Sequence, residues 1–146
     1  MSQRRQSPLF IRTKLSPPRL SRKVVHREPA MQALAMGAMR ALTLVKAPAG
    51  FGKTTLLTEW REILLGERKL VAWLTLDRED NDPVHFVDYL CHTLTESLGT
   101  AISEGNDLRQ TAEFGTPKAV LSSLINALDR CGQEITLFLD DYDSIT

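Results

Sequence analysis

The sequence contains little cysteine, no long apolar run and no net charge. Its two cysteines, Cys91 and Cys131, are too few for a disulfide scaffold and form no C-x-x-C pair, which predicts free thiols in a cytosolic protein. No apolar run approaches the roughly 18–20 residues of a membrane span. The basic N-terminus holds only a three-residue apolar patch, far shorter than a secretory core. These absences argue against an exported or membrane-spanning protein and predict a cytoplasmic location with no membrane partner.

The charge is balanced in total but uneven along the chain. Lys plus Arg and Asp plus Glu both number 18, so the total charge favours neither nucleic acid nor membrane binding. Residues 1–28 carry eight basic side chains against Glu28 alone, which leaves −7 on the remaining 118 residues. We interpret residues 1–23 as a basic, flexible or extended lead, since they lack periodicity and contain Pro17-Pro18. A nucleic-acid arm is disfavoured because Phe10 is the only aromatic residue there.

Residues 24–146 alternate between strand and helix patterns. The composition, with 42% hydrophobic and 25% charged residues, is typical of one globular domain. Hydrophobic patterning predicts strands over residues 42–46, 70–76 and 135–139. Helices are predicted from about Glu28, after the glycine-rich segment near residue 50, from Asp82-Pro83 and from Thr116-Pro117. This order is typical of an α/β fold in which helices cover a parallel sheet.

The glycine-rich segment carries the clearest chemical signal. Phosphate binding by backbone needs several N–H groups directed at one anion, small residues, and a helix that starts at that point. The segment matches G-x-x-x-x-G-K-[ST] with alanine first, and the alternative is a chance glycine turn. Lys53 is expected to reach the β- and γ-phosphates, and the Thr54 hydroxyl to bind magnesium. The predicted nucleotide-binding residues of this Walker A segment, 47–54 and the next residue, are Ala47, Ala49, Gly50, Phe51, Gly52, Lys53, Thr54 and Thr55.

A carboxylate pair follows the last predicted strand. A magnesium–nucleotide site needs an acidic side chain at the end of a buried strand, and Asp140 meets this requirement 87 residues after Lys53. We predict Asp140 as a metal ligand, within a Walker B segment over residues 135–141. Asp141 is the predicted general base for the attacking water. Asp143 is better explained as part of an acidic loop.

Histidine and cysteine offer no competing site. His26, His85 and His92 lack metal-ligand spacing, and His85 and His92 are expected to be partly exposed on a helix. Cys91 and His92 are adjacent and therefore point to different faces of that helix, which argues against a zinc site or a nucleophile.

Five ordered segments resemble a known family: residues 13–18, 24–28, 47–55, 73–82 and 137–142. They are similar to the N-terminal ATPase region of the MalT-type large ATP-binding LuxR regulators, which are signal-transducing (STAND) P-loop ATPases. The resemblance covers nearly the whole chain from about Thr13. It implies a nucleotide switch that binds ATP or ADP with Mg²⁺ and hydrolyses ATP slowly. It also implies that Arg27 lies near the nucleotide base, although His26 replaces the glycine often found there.

The resemblance carries expectations about missing parts. Such regulators continue with a further strand, a helical domain, a winged helix, superhelical repeats and a helix-turn-helix, so we expect this chain to be a truncation or a fragment. DNA would be bound only through the absent helix-turn-helix. The further strand inserts between the phosphate-loop strand and the Asp140 strand. Residues 42–46 and 135–139 should therefore either pair directly or leave a gap, and the exposed strand edges should favour self-association. We also expect negligible hydrolysis, because the sensor and arginine contributions of the missing parts would be absent.

Two alternatives remain open at the level of sequence. A stand-alone small P-loop kinase or ATPase would need an acceptor site and an arginine-bearing lid, which we expect this chain to lack. A non-catalytic remnant would act by association with an intact regulator.

Overall fold

The computed structural model describes residues 10–19, 27–99 and 115–146. Among these residues the structure has four α-helices, two β-strands and three short 3-10 helices. The helices are α1 (Glu28–Gly37), α2 (Lys53–Gly66), α3 (Pro83–Leu98) and α4 (Pro117–Cys131), and the strands are β1 (Leu70–Thr75) and β2 (Ile135–Asp140). The 3-10 helices are Arg12–Lys14, Arg78–Asn81 and Tyr142–Ser144. His26 and most of the predicted connection over residues 99–115 lie outside the described ranges.

The two strands form a parallel pair. Their register runs from Leu70 opposite Ile135 to Thr75 opposite Asp140. One further backbone hydrogen bond follows the last paired residues, from the amide of Leu76 to the carbonyl of Asp140 at 2.9 Å. The predicted α/β class is confirmed, and the arrangement is compatible with a P-loop fold.

Apolar side chains cover both faces of this pair. On one face Ala72 packs with residues of α3 and α4, including Leu94 and Leu124. On the other face Trp73 and Phe138 pack with Leu64 of α2. Successive strand residues point to opposite faces, so a strand covered on both sides is almost continuously apolar, as β1 is from Leu70 to Leu74. Trp73 is 2% exposed and is among the most buried large side chains of the described residues.

The helix starts agree with the cap signals. Asp82 accepts a hydrogen bond from the amide of Val84 at the start of α3, and Thr116 accepts one from Ala119 at the start of α4. Proline is in the first turn of both helices and of α1. None of the described helices is long and apolar enough to cross a membrane.

The predicted strand over residues 42–46 is wrong. This segment has no strand conformation, and the side chains of Leu42 and Leu44 are 84% and 67% exposed. A strand requires a neighbour that satisfies its N–H and C=O groups, and within the described residues the segment 42–46 pairs with neither β1 nor β2. Of the two arrangements expected for residues 42–46 and β2, direct pairing is therefore wrong, and only Val45 of the segment packs, against α1 and α2.

Candidate functional site

The glycine-rich segment forms a turn that leads directly into α2. Gly50 and Gly52 have φ angles of +80° and +76°, in the left-handed region that glycine enters without steric cost. The amide of Phe51 donates to the carbonyl of Pro48 at 3.3 Å. Gly52 is the N-cap of α2, and within the described ranges no side chain caps the first turn of this helix. The first amides of α2 are therefore available to an anion at this turn.

Lys53 is the first residue of α2, and its side chain bends back over the turn. The ammonium donates to the carbonyl of Ala47 at 2.8 Å and to that of Pro48 at 3.4 Å. The positive charge is thus held inside the loop by neutral acceptors. Ala49 and Phe51 are exposed in the turn, and Thr55 is half-buried on α2.

One hydrogen bond joins the loop to β2. The hydroxyl of Thr54 donates to a carboxylate oxygen of Asp140 at 2.9 Å, across 86 residues of sequence. Asp140 is buried, with 5% of its surface exposed. The structure therefore brings together the two residues that were predicted as metal ligands from separate motifs.

Asp141 directly follows β2 in a left-handed conformation, with φ 55° and ψ 37°. Only this residue and Arg68 have positive φ among the described non-glycine residues. Partial burial, followed by the charges of Asp140 and Asp143, raises the pKa of the Asp141 carboxyl above its ordinary value. The charge of Lys53 opposes this rise in pKa.

Arg27 lies against the loop rather than away from it. Its guanidinium donates to the carbonyl of Phe51 at 2.7 Å. A β-carbon at Gly52 would lie 3.4 Å from the same guanidinium. Arg27 is also the N-cap residue of α1, and its carbonyl accepts from the amides of Ala30 and Met31. The start of α1 therefore fixes this cation beside the glycine turn.

The donor set at this end of the sheet suits a hard cation. Magnesium prefers oxygen ligands, and the Thr54 hydroxyl and Asp140 carboxylate are already in contact. A bound Mg²⁺ would supply charge neutralisation for the phosphates of a nucleotide. No cluster of three His, Cys, Asp or Glu side chains suited to a metal occurs in the described residues.

The histidines and cysteines behave largely as their sequence patterns indicate. His85 and His92 are partly exposed on α3, with side chains 30% and 28% accessible. Cys91 and Cys131 are both free, and burial, followed by the charge of Asp88, raises the pKa of the Cys91 thiol to about 11. Such a thiol is protonated at neutral pH and is a poor nucleophile.

The burial of Lys14 is not predicted by the sequence. Lys14 contributes to the charge of the basic lead and lies within the resembling segment 13–18, yet it is 6% exposed and pairs with Asp80 at 2.7 Å and Asp77 at 3.0 Å. Burial by itself lowers the pKa of Lys14, but the hydrogen bonds to the two carboxylates raise it above the ordinary value overall. The apolar neighbours Phe10, Ile11 and Leu15 are the sequence signal that this segment docks.

The fold and the loop define an α/β protein with a glycine turn at the start of a helix, beside a buried carboxylate. The chain is 35% identical over 141 residues to the serine/threonine-protein kinase PknK of Mycobacterium tuberculosis, a match of 92% of this chain and 12% of that protein. It is 35% identical to the HTH-type transcriptional regulator MalT of Serratia proteamaculans and 31% identical to MalT of Yersinia pestis, each over 94% of this chain and 15% of the regulator.

These similarities support a MalT-like regulator or ATPase region. The chain spans only 12 to 15% of the length of these relatives. No protein-family model matches the chain.

Proposed function

We propose that this chain is an ATP- or ADP-binding switch module of a MalT-like transcriptional regulator. The observation that carries the proposal is the hydrogen bond between Thr54 and Asp140, which unites a glycine turn and a strand-end carboxylate. A chance glycine turn would have no reason to contact a buried acid 86 residues away. Adjacent hydroxyl and carboxylate oxygens are suitable ligands for Mg²⁺, and the helix start beside them is a suitable site for the phosphates that the metal binds.

In this proposal the loop residues bind the phosphates. The amides from Gly50 to Thr55 surround the anion, and the Lys53 ammonium leaves the carbonyls of Ala47 and Pro48 to contact it. Arg27 braces the turn through Phe51 and adds positive charge beside it. Ala49 and Phe51 contribute backbone rather than side-chain contacts, because both side chains are exposed.

Asp141 would orient and deprotonate the attacking water. Its raised pKa makes it a stronger base than an ordinary aspartate, which suits this role. We expect negligible hydrolysis by this chain alone, because the described residues place only Lys53 and Arg27 as cations at the loop. Occupancy by ATP or ADP, rather than turnover, would then carry the signal.

The relatives support a shared module rather than either of their named activities. One is a serine/threonine-protein kinase and the other an HTH-type regulator, and each matches this chain over a small part of its length. The region that both relatives share with this chain is therefore not specific to protein phosphorylation or to DNA binding. We therefore assign DNA contact in such a regulator to a separate domain, and we place the protein in the cytoplasm.

Calorimetric titration with ATP and ADP, with and without Mg²⁺, tests this proposal. We expect micromolar to millimolar binding, which Thr54→Ala and Asp140→Asn weaken more with Mg²⁺ than without it. Thr58→Ala is the matched control, because that hydroxyl bonds only the Thr54 carbonyl within α2. Absence of nucleotide binding would refute the proposal, and phosphoryl transfer to an added metabolite would favour a kinase instead.

A further inference from the structure

Residues 10–15, here named the N-terminal strap, dock on α3 by several distinct contacts. The ring of Phe10 stacks on His92 with centroids 3.9 Å apart and meets Tyr89 edge-on at 5.0 Å. The amide of Ile11 donates to the hydroxyl of Tyr89 at 3.0 Å. The Lys14 ammonium lies 4.5 Å from the centre of the Tyr89 ring. The strap therefore has one defined position on this surface.

Lys14 ties the strap to the loop that follows β1. The Asp80 side chain is fully buried and accepts hydrogen bonds from the Lys14 ammonium and from the amide of Asp77. His85 of α3 also contacts Asp80, at 3.1 Å. Asp77 and Asp80 form a capping box at the start of the Arg78–Asn81 turn. The conformation of this turn thus depends on a carboxylate whose charge is matched by the strap.

The same strap supports the segment after β2. Phe10 and Leu15 pack around Leu74 and Leu76 in one apolar cluster, and Ile145 packs in that cluster as well. Asn81, in the turn that Lys14 stabilises, accepts a hydrogen bond from the amide of Thr146 at 2.9 Å. The segment 141–146 is therefore linked to the strap through the apolar cluster against which both pack and through the Asn81 turn.

We propose that Lys14 is a positioning residue that, through the strap, holds the 141–146 segment and with it the left-handed conformation of Asp141. Asp141 precedes the Tyr142–Ser144 helix, and its carbonyl accepts from the amide of Ser144 at 2.9 Å. Release of the strap exposes Ile145 and frees the turn that anchors Thr146. The importance of this coupling for hydrolysis rests on the proposed function, but the coupling itself does not.

Amide hydrogen exchange of the full 146-residue chain, without nucleotide, tests the coupling. In Lys14→Met we expect exchange to accelerate about tenfold or more at Ser144 and Ile145 as well as in the strap. In α4 the amides that exchange by local opening should keep their rates, and only those that exchange by global unfolding should follow the loss of stability. Lys14→Arg should restore most of the protection, because it keeps the charge. Lys69→Met removes an exposed ion pair with Glu134 and is the control that should change neither region.

A milder variant keeps the test decisive if Lys14→Met does not fold. Tyr89→Phe removes only the hydroxyl that binds the Ile11 amide, and it should accelerate exchange in the strap and, to a smaller degree, at Ser144 and Ile145. Acceleration confined to the strap, or equal acceleration throughout α4, would overturn the proposal. Because the measurement contains no ATP, its failure leaves the nucleotide-binding proposal standing, and loss of ATP binding leaves this coupling standing.

Discussion

The strap buries its lysine and its apolar side chains, whereas the glycine-rich segment and the residues before it leave apolar side chains exposed. Lys14 is buried between two carboxylates and an aromatic ring, and Phe10 and Leu15 complete an apolar cluster. Lys53 contacts only backbone carbonyls of its own loop among the described contacts, while Leu44 and Phe51 are 67% and 58% exposed. A charge whose counter-ions lie within the fold stabilises the fold. An ammonium held by neutral acceptors can move to contact an incoming anion.

The largest expected effect is the loss of stability when the buried charge of Lys14 is removed. Lys14→Met should lower the free energy of unfolding by about 3–5 kcal/mol, because it leaves the buried Asp80 carboxylate without its ammonium partner. Urea denaturation followed by tryptophan fluorescence measures this loss. Lys69→Met, which removes an exposed pair at 3.7 Å, should cost less than about 1 kcal/mol. Equal losses for the two variants would contradict the comparison.

Removal of the Lys53 charge should affect nucleotide binding rather than stability. Lys53→Ala should weaken ATP binding about 10- to 100-fold, as expected for the loss of charge-assisted hydrogen bonds worth about 1.5–3 kcal/mol. Its unfolding free energy should change by less than about 0.5 kcal/mol, because no ion pair within the described residues is lost. Lys46→Ala, at an exposed lysine just before the loop, is the control for calorimetry. Retention of full affinity in Lys53→Ala would show that the site is elsewhere.

A third, smaller effect tests the backbone of the turn. Gly52→Ala should cost about 1–2 kcal/mol of stability, since φ is +76° there, and its β-carbon would contact Arg27 at 3.4 Å. Gly50→Ala has similar strain but its β-carbon contacts nothing within 4 Å, so the difference between the two variants isolates the Arg27 contact. Thermal melts and ATP titration of both variants measure it. Identical behaviour would show that Arg27 does not brace the turn.

The smallest effect is a change of stability with pH at Asp141. Because its folded-state pKa is raised, the ionised carboxylate destabilises the fold at neutral pH, and that penalty disappears as the pH falls through the folded pKa to below 3.8. Asp141→Asn should therefore raise the free energy of unfolding slightly at pH 7, by less than about 1 kcal/mol because the side chain is exposed. Asparagine tolerates the left-handed conformation equally well.

The gain from Asp141→Asn should vanish in melts at pH 3.5. Asp77 provides the opposite case, because its pKa is lowered overall: burial raises it, but the hydrogen bonds from Lys14 and from the Glu79 amide, together with the charges of Lys14 and His85, outweigh burial. Its contribution to stability is present above the ordinary pKa and lost as the pH falls through the folded value. A gain in Asp141→Asn that persists in acid would mean that backbone strain, not charge, is responsible.

Much of the fold was predictable because its signals are local. Asp82-Pro83 and Thr116-Pro117 mark helix starts by the chemistry of their own side chains, and the apolar run of β1 reports burial on both faces. The strand over residues 42–46 could not be predicted in the same way. Its apolar residues satisfy the local pattern, but strand formation depends on a neighbour that is distant in sequence, and within the described residues this segment pairs with neither strand.

The sequence by itself determined that a glycine turn precedes a helix, because positive φ at Gly50 and Gly52 and a basic residue next to them are properties of consecutive residues. Only the tertiary structure decided which side chains meet. The 2.9 Å contact between Thr54 and Asp140 depends on how α2 packs beside the strand pair. Burial of Lys14 likewise depends on Asp80, 66 residues away, because a lysine becomes a buried anchor only where the fold brings it a carboxylate.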